Sequence, residues 1–248
     1  MLLVENGVGL SGIAMNSVDI TYIVRASGHE EQRYPVRLDA ESLDIIEPAI
    51  HEHPDWARLS FHQCPSCTLD AAEHEWCPLA LHLVELNRRF AGLVSHDPVE
   101  LEVRTAERRV IADTTAQKAI SSLVGLLIPC SGCPHTRVFR PMARFHLPLS
   151  SELESIYRVS SMYLLAQYFV RKGGRDSDLD LHELEAVYRR MQEINRHAAR
   201  RLLDASETDS MVNAVVVLDT LAKTLPYVIE ESINELRNIF AGYVEEDN

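Results

Sequence analysis

The chain lacks the short sequence patterns that identify several large enzyme classes. Its 248 residues contain no glycine-rich phosphate loop, dinucleotide-binding fingerprint, nucleophile elbow or His-Glu-x-x-His pair. Those patterns supply the phosphate cradles, activated serines and zinc ligands of the corresponding enzymes. No recognisable acid–base pair replaces them, so the sequence favours a non-enzymatic protein.

Long apolar runs and a targeting signal are also missing. No apolar stretch approaches the ~20 residues of a membrane-spanning helix. The amino terminus lacks the basic region, apolar run and cleavage site of a secretory signal. We therefore expect a cytoplasmic protein with no membrane partner. The formal net charge of −13 argues against a nucleic-acid partner, because nonspecific binding to nucleic acid requires an excess of Lys and Arg.

Alternating apolar and polar residues predict two β-hairpins. The first pairs 20–26 with 32–38, and the second pairs 99–105 with 109–113. A further short strand is predicted over 57–62, leading directly into the first cysteine. These strands account for a small antiparallel sheet.

Helical spacing and capping signals predict a helical second half. Pro78 at a first helical position and the capping box Ser151-x-x-Glu154 mark two helix starts. Helices are predicted over 78–94, 114–128, 151–172, 180–203, 209–224 and 226–240, with Pro129 ending the second and Pro226 starting the last. The sequence therefore predicts an α+β fold, in which a small antiparallel sheet of hairpins with helices (1–150) is followed by a helical C-terminal subdomain (151–248) packed with it as one unit.

The five cysteines form two Cys-x-x-Cys pairs with a single residue between them. The pairs are Cys64/Cys67 and Cys130/Cys133, and the fifth thiol is Cys77. Thiolates are the ligands that Zn²⁺ and iron–sulfur clusters prefer, and a two-residue spacing lets one turn direct both sulfurs at one centre. In the cytoplasm, cysteines serve metal or redox chemistry more readily than structural disulfides. The sequence therefore predicts a metal-binding protein.

Five thiols exceed four coordination positions, which leaves two ligand sets open. The first consists of the two pairs and is the usual arrangement for a closed zinc site. The second replaces Cys130 by Cys77, which is expected at the N-cap of a helix, where free amide groups stabilise a thiolate. Three of the four cysteines in this second set are followed by proline, as occurs at iron–sulfur ligands. His62 and His135 are reserve ligands.

A third interpretation involves no metal and leaves the thiols reduced or redox-exchanging. Cys-Pro-x-Cys after a strand is how thioredoxin-like proteins present their nucleophile, but their fold needs a helix to begin at the first cysteine. Here the segment 68–76 is polar and acidic, and the convincing helix starts only at Pro78. The sequence therefore disfavours a thioredoxin-like enzyme.

A basic segment follows Cys133. No acidic residue lies between Thr114 and Ser151. The candidate residues for anion binding or for support of the metal ligands are His135, Arg137, Arg140, Arg144 and His146. Guanidinium groups would offset the negative charge of a four-thiolate centre, or bind phosphate or carboxylate as a small anion. Alternatively, they pair with the acidic C-terminal helices, where Glu193 is expected on a solvated face.

Three stretches carry a resemblance to a known group of proteins: FHQCPSC (61–67), SGCPHT (131–136) and RPMARFHLP (140–148). They resemble those of an uncharacterised bacterial protein family, and the similarity extends over most of the chain. The resemblance implies no activity. It does imply that the cysteine pairs and the basic segment form one unit.

These observations predict a cytoplasmic metal-binding protein with a cysteine-ligated zinc site and a structural, sensory or interaction role. The alternative is an iron–sulfur protein in which the second ligand set holds a [4Fe–4S] cluster for redox or sensing. The partner would be an unknown protein or a small anion. The amphipathic stretch over 209–240 is also compatible with a homodimer interface.

Overall fold

The computed structural model describes residues 17–47, 53–206 and 208–244, without the side chains of 47, 225–232 and 244. Over these residues an antiparallel sheet is combined with helices concentrated in the C-terminal half, which confirms the predicted α+β class. The strands are β1 (Ser17–Ala26), β2 (Gln32–Asp39), β3 (Ile45–Glu47), β4 (Pro98–Arg104) and β5 (Arg109–Thr115). The helices are α1 (Pro78–Phe90), α2 (Ala116–Cys130), α3 (Arg140–Arg144), α4 (Glu152–Lys172), α5 (His182–Ala205), α6 (Ser210–Leu236) and α7 (Ala241–Val244).

The sheet has the strand order β3-β2-β1-β4-β5. Both predicted hairpins are confirmed, as β1–β2 and β4–β5, and β3 is an additional edge strand that the sequence analysis missed. Alternate side chains turn to one face, where Tyr22, Val36 and Leu101 are buried. Helices α1 and α2 pack there, and Leu202 of α5 and Met211 of α6 join the same core. The sheet thus supports α1 and α2, which lie beside the cysteines in the chain.

Helix α2 continues through Pro129, which was expected to end it. The hydroxyls of Ser131 and Thr136 both donate to the carbonyl oxygen of Ile128 at 2.8 Å, so side chains cap the last turn. Cys130 therefore lies inside the helix, and only Cys133 follows the cap. The prediction that both cysteines of this pair occupy one turn is wrong.

Helix α6 likewise continues through Pro226, where the sequence predicted a break between two helices. Proline has no backbone N–H, so it cannot donate to the carbonyl oxygen four residues earlier, that of Ala222. The side-chain amide of Gln192 on α5 donates to that oxygen instead, at 3.0 Å. The contact between α5 and α6 thus satisfies the carbonyl that proline leaves free. No helix in the described part of the chain is long and apolar enough to span a membrane.

The short strand predicted over 57–62 is not formed. A 3₁₀ turn at Asp55–Ala57 leads into irregular turns, and only Arg58 forms an isolated bridge, with Trp76. The carbonyl oxygens of Trp56, Arg58 and Leu59 accept hydrogen bonds from the Arg201 guanidinium, at 2.6 to 3.2 Å. Because a side chain occupies these acceptors, the segment is fixed as a loop beside α5.

Candidate metal centre

Four of the five cysteines line one small cavity between α1, α5 and the loops beside them. They are Cys64, Cys67, Cys77 and Cys133. The cavity measures about 30 Å³, room for more than one water-sized group. Apart from sulfur, its walls are mainly aliphatic, including Leu59, Leu79 and Ile194. We call it the cysteine cavity. It brings together the second of the two ligand sets considered from the sequence.

Three separate parts of the chain deliver these sulfurs. Cys64 and Cys67 share a turn closed by a backbone hydrogen bond from Cys67 N to Cys64 O at 2.9 Å. Cys77 is the N-cap of α1, as predicted, and its amide donates to the carbonyl of Ala57. Cys133 follows the capped end of α2. Gly132 before it has φ of +87°, which glycine adopts without strain.

One face of α5 holds the loop that carries the first pair. Glu193, His197 and Arg201 recur every four residues and therefore lie on one side of the helix. Glu193 Oε1 accepts hydrogen bonds from Ser66 N at 2.9 Å and from Ser66 Oγ at 2.6 Å. His197 Nδ1 bonds to the carbonyl of His62 at 2.9 Å. The prediction that Glu193 belongs to a solvated face is wrong, because it anchors the Cys-x-x-Cys turn.

Arg201 places a positive charge at the wall of the cysteine cavity. It is 3% exposed, and its guanidinium is held by the three loop carbonyls. Burial lowers the pKa of Arg201, whereas negative charge on Cys77, Cys64 and Cys67 acts in the opposite direction. A cationic guanidinium in this position favours thiolate charge in the cavity.

Burial has the opposite effect on the thiols themselves. It raises the pKa of Cys64 to about 12, with further increases from Cys77, Cys133 and Cys67, and it also raises the pKa of Cys133. These thiols stay protonated near neutral pH unless a cation joins them. Metal binding would therefore release protons, as it does at other cysteine sites.

The cysteine cavity is not a preformed site for one metal ion. Within the described residues, no group of three or more His, Cys, Asp or Glu side chains could hold such an ion as it stands. A tetrahedral zinc site needs all four sulfurs about 2.3 Å from the ion. A cubane cluster spaces its ligands more widely, because each cysteine binds a different iron atom.

Cys130 does not line the cysteine cavity. It is 1% exposed within α2, and its charged neighbours are Arg140 and Asp44. Burial raises the pKa of the Cys130 thiol to about 12, so it remains a neutral, apolar side chain near neutral pH.

The predicted basic segment is only partly beside the cysteines. His135 lines the cysteine cavity and bonds through Nε2 to the carbonyl of Ser66 at 2.7 Å. Arg140 pairs with Asp44, not with the acidic C-terminal helices, and Arg144 lies over the ring of Phe145. Of the remaining two residues, Arg137 is exposed, and His146 is half-buried and bonded to Tyr22. The reserve ligand His62 pairs with Asp204 at 2.8 Å.

The sequence analysis missed His197 and Arg201 as members of the site. The available signal was the four-residue spacing of Glu193, His197 and Arg201 within a predicted helix. Such spacing indicates a shared face but does not say what that face contacts. Only the packing of α5 against the cysteine loop gives these residues a role.

The comparisons with known proteins give a family without a stated activity. A family model described as Domain of unknown function (DUF6901) matches residues 20–241. This range contains all five cysteines and all of α5. No curated protein and no solved structure matches the chain.

Proposed function

The chain belongs to the DUF6901 family, whose description states no activity, and we propose that its cysteine cavity binds an iron–sulfur cluster that serves as a redox or sensing centre. The observation that carries this proposal is the gathering of four cysteines from three chain segments around one cavity, while the fifth lies elsewhere. The four cysteines are not grouped merely because thiols tend to be buried. Cys130 is the most buried of the five, yet it does not line the cavity.

One observation favours a cluster over a single zinc ion. Three of the four ligands precede proline, namely Cys64, Cys77 and Cys133. Cys-Pro occurs in iron–sulfur ligand motifs. The enclosing aliphatic walls and the nearby Arg201 suit a negatively charged thiolate centre of either kind.

The size of the cavity supports redox or sensing over catalysis. A cavity of about 30 Å³ must widen to take an eight-atom cluster, and it then has no room for an organic substrate beside the metal centre. The Cys64–Cys67 turn lies partly exposed at the surface, so a cluster beneath it could exchange electrons with a partner protein. A cluster with a purely structural role would not need to lie near the surface.

Metal analysis of protein purified without oxygen tests the proposal. We expect a brown protein with about four iron and about four acid-labile sulfide per chain, and an electron paramagnetic signal after reduction by dithionite. A colourless protein with about one zinc per chain would overturn the cluster and establish the zinc alternative. Absence of stoichiometric metal in a fresh preparation would overturn both.

Cysteine variants test the ligand set. Cys77→Ser should lose the visible absorbance, because Cys77 supplies one sulfur of the cavity. Cys130→Ala is the matched control, since it removes a buried thiol that does not line the cavity. Loss of iron in Cys130→Ala with retention in Cys77→Ser would reverse the assignment.

A further inference from the structure

A second cavity, of about 730 Å³, lies between α2, the N-terminal half of α4, and helices α5 and α6. We call it the helical cavity. Its volume is within the range of small-molecule sites, roughly 300–1,000 Å³. Helix α5 contributes to both cavities: Ile194 lines the cysteine cavity, and the next residue, Asn195, lines the helical cavity.

Arg158 on α4 is the main charged group of the helical cavity. Its Nη2 donates to the carbonyl oxygens of Met142 at 2.9 Å and Phe145 at 3.0 Å, which fixes the guanidinium in place. It forms no ion pair with a carboxylate among the described residues. The nearby Glu154 is engaged instead by the backbone amide of Ser151, at 2.7 Å. A half-buried guanidinium held by neutral carbonyls retains its charge for another anion.

Hydroxyl groups and a second cation surround the same end of the cavity. Ser150 and Ser155 bond to each other at 3.0 Å at the N-terminus of α4. Ser122 on α2 accepts the amide of Leu149 at 3.3 Å and lies 2.9 Å from the hydroxyl of Tyr22. Lys118, one helical turn before Ser122 on α2, also lines the cavity. Glu152 is the one carboxylate among the described lining residues.

Much of the remaining lining of the cavity is apolar. Its aliphatic, sulfur-containing and aromatic lining includes Phe139, Met142, Met191, Leu218 and Leu221. Among the polar lining residues, Asn195 is 1% exposed, and its Oδ1 has no hydrogen-bond partner among the described residues. A buried amide oxygen without a partner is costly, and a bound polar group is one way to satisfy it.

We propose that the helical cavity binds a small amphipathic molecule, whose carboxylate or phosphate group contacts Arg158 and whose apolar body lies among the methionine and leucine side chains. Guanidinium forms paired hydrogen bonds with either oxyanion. Serine hydroxyls and the positive end of the α4 dipole add to the attraction. This site is independent of any metal centre, because none of the four cavity cysteines lines it.

Calorimetric titration of the full chain with decanoate, decyl phosphate and decanol tests the proposal. Decanoate or decyl phosphate should bind about tenfold or more tightly than decanol, since one charge-assisted contact contributes on this scale. The stronger of the two acids identifies the headgroup. Equal binding of decanol, or no binding of either acid, would overturn the proposal.

Variants separate the cavity from nonspecific binding. Arg158→Met should weaken the acid about tenfold or more, and Gly125→Leu should block binding by filling space on the α2 wall. Arg171→Met is the matched control, because Arg171 is an exposed arginine on the same helix that does not line the cavity.

Arg158→Met also removes two structural hydrogen bonds. If it fails to fold, Lys118→Met, which removes an exposed charge, is measured instead and should weaken the acid without affecting decanol. The proposed site would be overturned if the affinity for the acid were unchanged in folded Arg158→Met or in Gly125→Leu. Where Lys118→Met is used instead, unchanged affinity in that variant would have the same meaning.

Discussion

At the residue scale, His146 is a half-buried histidine whose imidazole stays neutral in the folded protein near neutral pH. Its Nε2 is hydrogen bonded to the Tyr22 hydroxyl, and burial lowers the pKa of His146 to about 3. An unfolded chain has a histidine pKa near 6.5. Between these values the unfolded chain binds a proton that the folded chain does not, so acid favours unfolding.

We therefore predict that His146→Gln reduces the pH dependence of stability. The native protein should lose up to about 1.4 kcal/mol of unfolding free energy per pH unit from this group as pH falls below 6. Urea unfolding between pH 7 and 4.5 measures the slope. His82, whose pKa burial lowers to about 4, contributes in the same direction and keeps some slope in the variant.

His74→Gln is the control for this prediction, because His74 is exposed in a loop. The dependence of unfolding free energy on pH should be the same in His74→Gln as in the native protein. An undiminished slope in His146→Gln would contradict a lowered pKa of His146 in the folded protein.

At the element scale, α5 connects the fold to both cavities. One side carries Glu193, His197 and Arg201 to the cysteine loop, and Gln192 reaches α6 at Ala222. The contact with α6 explains how a helix passes through Pro226. Apolar spacing is local, so it predicted helices on both sides of Pro226. It could not predict a carbonyl satisfied by another helix, and the predicted break at Pro226 is wrong.

A double-mutant cycle tests this explanation. Gln192→Leu should cost about 1 kcal/mol of unfolding free energy, because it leaves the Ala222 carbonyl without its donor. In a Pro226→Ala background the same change should cost much less, since alanine restores the backbone N–H that bonds to Ala222. Urea unfolding of the four proteins gives the coupling. Equal costs in both backgrounds would mean that Gln192 does not compensate for proline.

At the scale of the whole molecule, the four cavity cysteines join segments that are far apart in sequence. A ligand bound by all of them stabilises the folded state, because the unfolded chain cannot assemble the site. Under the proposed function, the metal centre links the Cys64–Cys67 loop, the start of α1 and the segment that follows α2. The suggested homodimer stays a prediction.

We predict that removing the metal loosens these segments selectively. Amide hydrogen exchange should become faster over 59–77 and 131–137, while the paired strands β1 and β2 keep their protection. The unfolding temperature should fall by several degrees. Cys130→Ala in its metal-loaded form should retain slow exchange over both segments. Uniform loosening, or none, would count against a centre shared by these segments.

The sequence by itself determined the α+β class, both hairpins, the helix starts at Pro78 and Ser151, and the N-cap position of Cys77. These features follow from periodicity, proline and capping, which act over a few neighbouring residues. Tertiary structure alone decided which four cysteines meet, what α5 contacts, and where Arg158 finds its cavity. Spacing along the chain cannot decide them, because each depends on which helix faces bury their apolar side chains against one another.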